Sequence, residues 1–248
     1  MNDMMDATMR CAVFGASGGI GGALVRLLCA RDDVAEVHAL SRRMPPDDPF
    51  PAHGKVRHHR FDLADEASVA AACAAIGGPL DRVIVATGRL VRDNGDGPEK
   101  TFRALNADAM AELMAINAIG PALIARHALP LLNRTGRPVF AAVSAKVGSI
   151  ADNRLGGWHS YRASKAALNM LVRTFAIELA RSNPAAVAVS LHPGTVDTPL
   201  SRPFQRGVPA DRLFTPEQSA AHLLRVIDTI DTCASGRLIG WDGAEIPF

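Results

Sequence analysis

Tyr161 and Lys165 stand four residues apart in the stretch 160–168, which reads Ser-Tyr-Arg-Ala-Ser-Lys-Ala-Ala-Leu. On a helix this spacing puts both side chains on one face, one turn apart. A free phenol keeps its proton until about pH 10. A neighbouring ammonium favours the phenolate and draws that value down by about 1–3 units. The pair therefore reads as a general acid/base, with Tyr161 carrying the proton and Lys165 tuning it. The plainer alternative is an amphipathic helix with a snorkelling lysine. Tyr161 is the only tyrosine of the chain, and its other lysines are Lys55, Lys100 and Lys146, so chance seldom produces this pair.

Such a pair needs a scaffold that brings it a reactant. Residues 11–14, Cys-Ala-Val-Phe, form a short apolar run that predicts a buried parallel strand. Gly15-Ala16-Ser17-Gly18-Gly19-Ile20-Gly21-Gly22 follows, then a helical pattern from Ala23 to Leu28. Strand, glycine turn and helix N-terminus together make a phosphate cradle, because bare backbone N–H groups and the helix dipole attract anions. Gly15, Ser17, Gly19, Ile20 and Gly21 are the candidate cofactor contacts. A second strand over 36–40 runs into Ser41-Arg42-Arg43, with no acid before Asp47. An acid at that strand end holds the ribose 2′-hydroxyl of NAD, whereas a guanidinium suits a 2′-phosphate. Arg42 and Arg43 thus predict NADP(H) in preference to NAD(H); the alternative leaves both arginines in solvent.

With 248 residues, 48% of them hydrophobic, the chain can bury one large core. The net charge of +2 and the 5% aromatic content argue against a nucleic-acid partner. Cys11, Cys29, Cys73 and Cys233 lack paired or metal-like spacing and are expected to be small buried hydrophobes in a reducing compartment. His58-His59 is a lone pair, expected in a strand or loop, so no metal is predicted. No uninterrupted apolar run approaches the ~18 residues of a membrane span. Residues 1–10 carry Asp3 and Asp6 and no apolar stretch. They do not read as a signal peptide, residues 1–8 are expected to be flexible, and the expected location is cytoplasmic.

The remaining pattern alternates strands and helices. Strands are expected over 55–61, 82–86, 138–143, 186–191 and 238–241. Helices are expected over 64–76, 108–132 and 160–181, and from a Thr215–Gln218 capping box to about Ile230. Segments 89–101 and 200–214 read as loops, the second as a substrate lid. The prediction is a single doubly wound, Rossmann-type α/β domain over 9–248, with a mostly parallel sheet of about seven strands and helices on both faces. Asn117 lies inside an otherwise apolar helical stretch and needs partners. The helix 160–181 is apolar over more of its surface than one buried face requires, so a homodimer or homotetramer seam is expected there.

Gly15-xxx-Gly19-x-Gly21, Asn117, Ser144, Tyr161/Lys165 and Pro193-Gly194 occur in that order, and the chain resembles the short-chain dehydrogenase/reductase superfamily over nearly its whole length. Pro98-Glu99-Lys100, Gly148-Ser149-Ile150 with Asp152-Asn153, Gly156-Gly157-Trp158 and Trp241-Asp242-Gly243 resemble its C-factor-like, cell-signalling branch. The resemblance implies hydride transfer between NADP(H) and a small-molecule carbonyl or secondary alcohol. Tyr161, Lys165, Ser144 and Asn117 are then catalytic, with Asn117 opening a helix kink. Asp62 and Leu63 are implied at the adenine, and Ala86, Thr87 and Gly88 at a strand end that usually reads Asn-Asn-Ala-Gly. Pro193, Gly194, Val196 and Thr198 are implied around the nicotinamide, and Tyr161 and Lys165 also contact the cofactor. The usual serine position falls on Ala145; Ser144 is the first substitute and Ser149 the second. The alternative function is a non-catalytic dinucleotide-binding signalling or regulatory protein of the same fold.

Overall fold

Alternate residues along each central strand face opposite ways, and both faces are apolar. The first strand, β1 (Met9–Phe14), sends Cys11 and Val13 to one side and Ala12 and Phe14 to the other, all fully buried. A strand with two buried faces belongs in the middle of a covered parallel sheet. The computed structural model describes residues 9–43, 54–92 and 95–248, and β1 sits near the centre of its main sheet. Around it, in chain order, come α1 (Gly19–Cys29), β2 (Val34–Ser41), β3 (Val56–Arg60), α2 (Glu66–Ile76), β4 (Arg82–Val85), α3 (Ala107–Met114) and α4 (Gly120–Ala128). The second half adds β5 (Val139–Val143), α5 (His159–Ser182), β6 (Val187–His192), β7 (Thr195–Val196), β8 (Leu213–Phe214), α6 (Pro216–Thr229), β9 (Leu238–Gly240) and β10 (Glu245–Ile246).

The main sheet has eight strands in the order β10-β9-β6-β5-β4-β1-β2-β3, parallel except for β10. In register, Val13 lies beside Ile84, Ile84 beside Ala141, and Ala141 beside Val189. That row packs under α1 and α6 through Leu24, Leu28, Leu223 and Ile227. On the opposite face Phe14, Val83, Phe140 and Ala188 pack under α2, α4 and α5 through Val69, Ile124, Leu168 and Val172. The chain reverses its direction of travel across the sheet between β1 and β4. At such a switch point the strand ends splay apart and leave a crevice.

The predicted doubly wound fold is therefore present, with differences at its edges. β10 is an eighth strand, made when the chain turns back after Gly240 and pairs antiparallel with β9. The helix expected over 108–132 is interrupted at Asn117, where the resemblance implied a kink. Residues Ala115–Ile119 form a π-turn around Asn117, and Pro121 restarts the α-helix. The composite stretch Ala107–Leu131 is long and apolar enough to cross a membrane by composition, but Leu113, Ile124 and Ala125 are buried in the protein. Segment 200–214 is not uniformly loop: it holds two short 3₁₀ turns, and Leu213–Phe214 pairs in parallel with Thr195–Val196. The Thr215–Gln218 capping box forms with both of its bonds. Cys11, Cys29 and Cys73 are buried, but Cys233 is exposed on a turn before β9. The expectations for residues 1–8 and Asp47 lie outside the described residues.

Candidate active site

The crevice opens at the carboxyl ends of β1 and β4. Gly15 follows β1 with φ +92°, a left-handed conformation that suits glycine. A Cβ on Gly21 would lie 2.1 Å from the Gly15 carbonyl oxygen, so only glycine lets α1 begin this close to the turn. The N-cap of α1, Gly18, supplies no side-chain hydrogen bond, which leaves first-turn N–H groups available to an anion. Beside this turn, the Ala86 N–H bonds the Phe14 carbonyl at 2.8 Å. The Thr87 hydroxyl is buried without a partner and lines the cleft. A bare helix start and an orphaned hydroxyl fit the phosphates and hydroxyls of a dinucleotide.

The cleft has a volume of about 310 Å³. Of the residues named from sequence it gathers Ile20, Ala86, Thr87, Gly88, Ser144, Tyr161, Lys165, Pro193, Gly194, Val196 and Thr198. Ser17 and Gly19 belong to the turn below it. Arg42 and Arg43 are exposed at the end of β2, beyond the turn, where the Gly15 and Ala16 N–H groups bond the Leu40 carbonyl. Asp62 caps its own turn by accepting from the Ala64 N–H, and Leu63 packs against Gly120. Neither lines the cleft.

Tyr161 and Lys165 are both buried on α5. The Lys165 ammonium donates to the Val143 carbonyl at 2.9 Å and lies 6.0 Å from the centre of the Tyr161 ring. Burial pushes the Tyr161 phenol above its ordinary value and pulls Lys165 down to about 8. The expected fall of the tyrosine toward neutrality is thus not found. Desolvation by burial disfavours the charged form of each group and is the cause of both shifts. At neutral pH Tyr161 is a protonated phenol, the form a proton donor needs.

Asn117 sits behind the pair with no exposed surface. Its Oδ1 accepts from the Arg89 N–H at 2.7 Å, and its Nδ2 donates to the Arg89 carbonyl at 2.8 Å and to Ser164 Oγ at 3.0 Å. The π-turn aims this side chain inward, a frequent use of such turns. A Cβ placed on Gly88 would be 3.4 Å from Lys165 Nζ and 3.5 Å from Asn117 Oδ1, so strand end, lysine and asparagine converge there.

The serine substitutes fare differently. Ser144 reaches the cleft, but its hydroxyl donates to Asn169 Oδ1 at 2.7 Å. Ala145 lines the cleft next to it. Ser149 is a correction to the sequence reading. Its hydroxyl bonds the Pro247 carbonyl and accepts from the Asp152 N–H at 3.0 Å, tying the loop after β5 to the C-terminal segment rather than facing the cleft. Sequence reasoning gave no lining role to Leu90, Trp158 or His192, and held Phe204 only as part of the expected lid segment. Only Gly156-Gly157 before Trp158 offered a signal, since paired glycines announce a tight turn at the foot of α5. His192 is neutral, its pKa lowered to about 4 by burial and then by the Lys146 charge.

A glycine turn at the switch point of a parallel sheet, opposite a buried Tyr–Lys pair, defines a dinucleotide-dependent oxidoreductase. The short chain dehydrogenase family model matches residues 10–208, and the chain belongs to that family. Over 139 residues, 56% of this chain and 78% of the relative, it is 37% identical to the C-signal protein of Myxococcus xanthus. It is 30% identical over 250 residues to the cis-4-hydroxycyclohexanecarboxylate dehydrogenase of Sinomonas cyclohexanicum, covering 93% of this chain and 94% of that one. The NADPH-bound carbonyl reductase from chicken fatty liver superposes with a TM-score of 0.82 at 25% identity, covering 97% and 99% of the two chains. The C-signal likeness agrees with the C-factor-like motifs.

Proposed function

We propose that this chain is an NADP(H)-dependent reductase of small carbonyl compounds, running in reverse as a dehydrogenase of secondary alcohols. The observation that carries the reading is the convergence of Tyr161, Lys165 and the Pro193–Thr198 segment on one cleft above the bare start of α1. When bound, the nicotinamide supplies the hydride to the carbonyl carbon, or takes it back from the alcohol. Tyr161 gives its phenolic proton to the carbonyl oxygen, so that one C–H and one O–H bond form as the C=O double bond is reduced. Lys165, held by the Val143 carbonyl, places an amine that is still mostly protonated at neutral pH near that phenol. It stabilises the phenolate left after transfer and contacts the cofactor.

Asn117 holds Arg89 against α5 and supports proton resupply at Lys165. Ser144, bonded through Asn169, fixes the loop after β5 and offers its lone pairs and backbone to the cleft. Gly15, Ser17, Gly19, Ile20, Gly21 and Thr87 take the diphosphate and ribose. Asp62 and Leu63 take the adenine side, Gly88 allows close approach, and Pro193, Gly194, Val196 and Thr198 orient the nicotinamide. Arg42 and Arg43 select the 2′-phosphate. The reading includes a homodimer or homotetramer, supported by Met170 (66% exposed) and Ile177 (45%) on α5. It includes a cytoplasmic site of action, supported by the free thiols.

The test is a carbonyl panel followed by NADPH consumption, with NADPH and NADH compared by thermal shift. NADPH stabilises the protein more than NADH at equal concentration. Tyr161→Phe abolishes turnover and leaves NADPH affinity nearly intact; unchanged turnover removes the tyrosine from the mechanism.

A further inference from the structure

Trp158 is the one non-glycine among the described residues with a left-handed backbone, φ +53°. A bulky side chain disfavours that conformation, and such outliers persist only where their surroundings impose them. The surroundings here are specific. Gly156 and Gly157 precede it with φ +63° and +64°. The Trp158 N–H donates to the Glu99 carbonyl. One residue into α5, Ser160 donates both its N–H and its hydroxyl to the buried Glu99 carboxylate. Arg162 closes the turn from the other side, donating to the Gly157 carbonyl at 3.0 Å and the Val147 carbonyl at 3.1 Å.

What this clamp fixes is the place of the indole. It meets the Tyr161 ring at 6.3 Å and 70°, and the Phe204 ring at 5.0 Å and 63°. Phe204 comes from the 3₁₀ turn Arg202–Phe204, on the far wall of the cleft. Leu90, Val147, Leu200 and Val208 complete the wall around the two rings. The lysines that reach this cleft are engaged: Lys165 with the Val143 carbonyl, and Lys146 with Asp152 at 3.5 Å. The space beside the Tyr161 ring is therefore apolar and edged by two aromatic rings, which favour another ring in edge-to-face or offset contact.

We infer that Trp158 and Phe204 set substrate choice: they receive a flat, uncharged ring that carries the reacting carbonyl, an aryl ketone or aldehyde. The inference rests on the hydride-transfer reading above and adds the substrate class to it. Glu99 is a positioning residue, acting only through the turn that aims Trp158.

Two ketones of equal carbon number test it, acetophenone and 2-octanone, each with NADPH. The native protein has the higher kcat/KM for acetophenone. Trp158→Ala and Phe204→Ala each lower that value about tenfold or more, mainly through KM, as loss of a hydrophobic pocket contact does, and lower the acetophenone-to-2-octanone ratio of kcat/KM by about fivefold or more. Trp158→Phe keeps most of the preference. A binding arm runs beside the kinetics. In Trp241→Phe the only indole left is Trp158, and acetophenone added with NADP+ quenches its emission along a saturating curve. Equal losses on both ketones, or quenching that rises linearly without saturation, overturn the ring site. Saturating quenching without turnover of either ketone keeps the ring site and overturns the hydride-transfer reading. Turnover without ring preference does the reverse, and neither signal overturns both.

Discussion

Replacing Asn117 by alanine is expected to destabilise the protein by about 3–6 kcal/mol. The side chain makes three hydrogen bonds from a position with no exposed surface: two to the Arg89 backbone and one to Ser164 Oγ. Ser164 keeps its bond to the Tyr161 carbonyl at 2.8 Å, so its loss counts for only about 1 kcal/mol. Both Asn117 bonds to the part-buried Arg89 backbone disappear, at about 1–3 kcal/mol each. The three losses sum to about 3–7 kcal/mol, and a water entering the vacated space brings the upper end down to about 6 kcal/mol. For a chain of this size that corresponds to a fall in Tm of about 6–12 °C. Urea unfolding checks it, reading a shift in midpoint at constant slope. A change below about 1 kcal/mol would refute the view that Asn117 is the strut joining the end of β4 to α5. It would leave the π-turn without a structural reason.

Gly21→Ala puts a methyl 2.1 Å from the Gly15 carbonyl oxygen and against the Gly15–Ala16 backbone, so the turn must open. The expected result is loss of NADPH-induced thermal stabilisation, corresponding to an affinity lower by about tenfold or more, and unchanged affinity would show the cradle lies elsewhere. Glu99 supplies a pH dependence. Burial raises its carboxyl pKa, but the Ser160 hydrogen bonds outweigh burial and hold it below the usual carboxylate range. A carboxylate whose pKa is lowered on folding stabilises fully above its unfolded value of about 4.3 and loses that contribution as pH falls through the folded value. The stability advantage of the native protein over Glu99→Gln should therefore shrink from about pH 5 downward, and pH–stability curves that stay parallel would contradict it.

Much of this protein could be read from one dimension. The strands were legible because residues such as Val13, Ile84 and Val189 are continuous apolar runs, and two buried faces leave no other place for them. The glycine turn, the Thr215–Gln218 box and the i, i+4 Tyr161–Lys165 pair were legible because each depends on neighbours within a few residues, and local geometry follows local sequence. The tyrosine's pKa was not. It depends on how much water the folded chain removes from Tyr161, and burial decided it. The fates of Ser144 and Ser149 were likewise settled by Asn169 and Pro247, which lie 25 and 98 residues further along. So was the aromatic wall, since Trp158 and Phe204 meet only because Glu99 and Arg162 hold a strained turn between distant segments. Sequence determines the periodic elements and the motifs they carry. Desolvation and long-range hydrogen bonds exist only once the chain has closed, and they assign each side chain its charge and its direction.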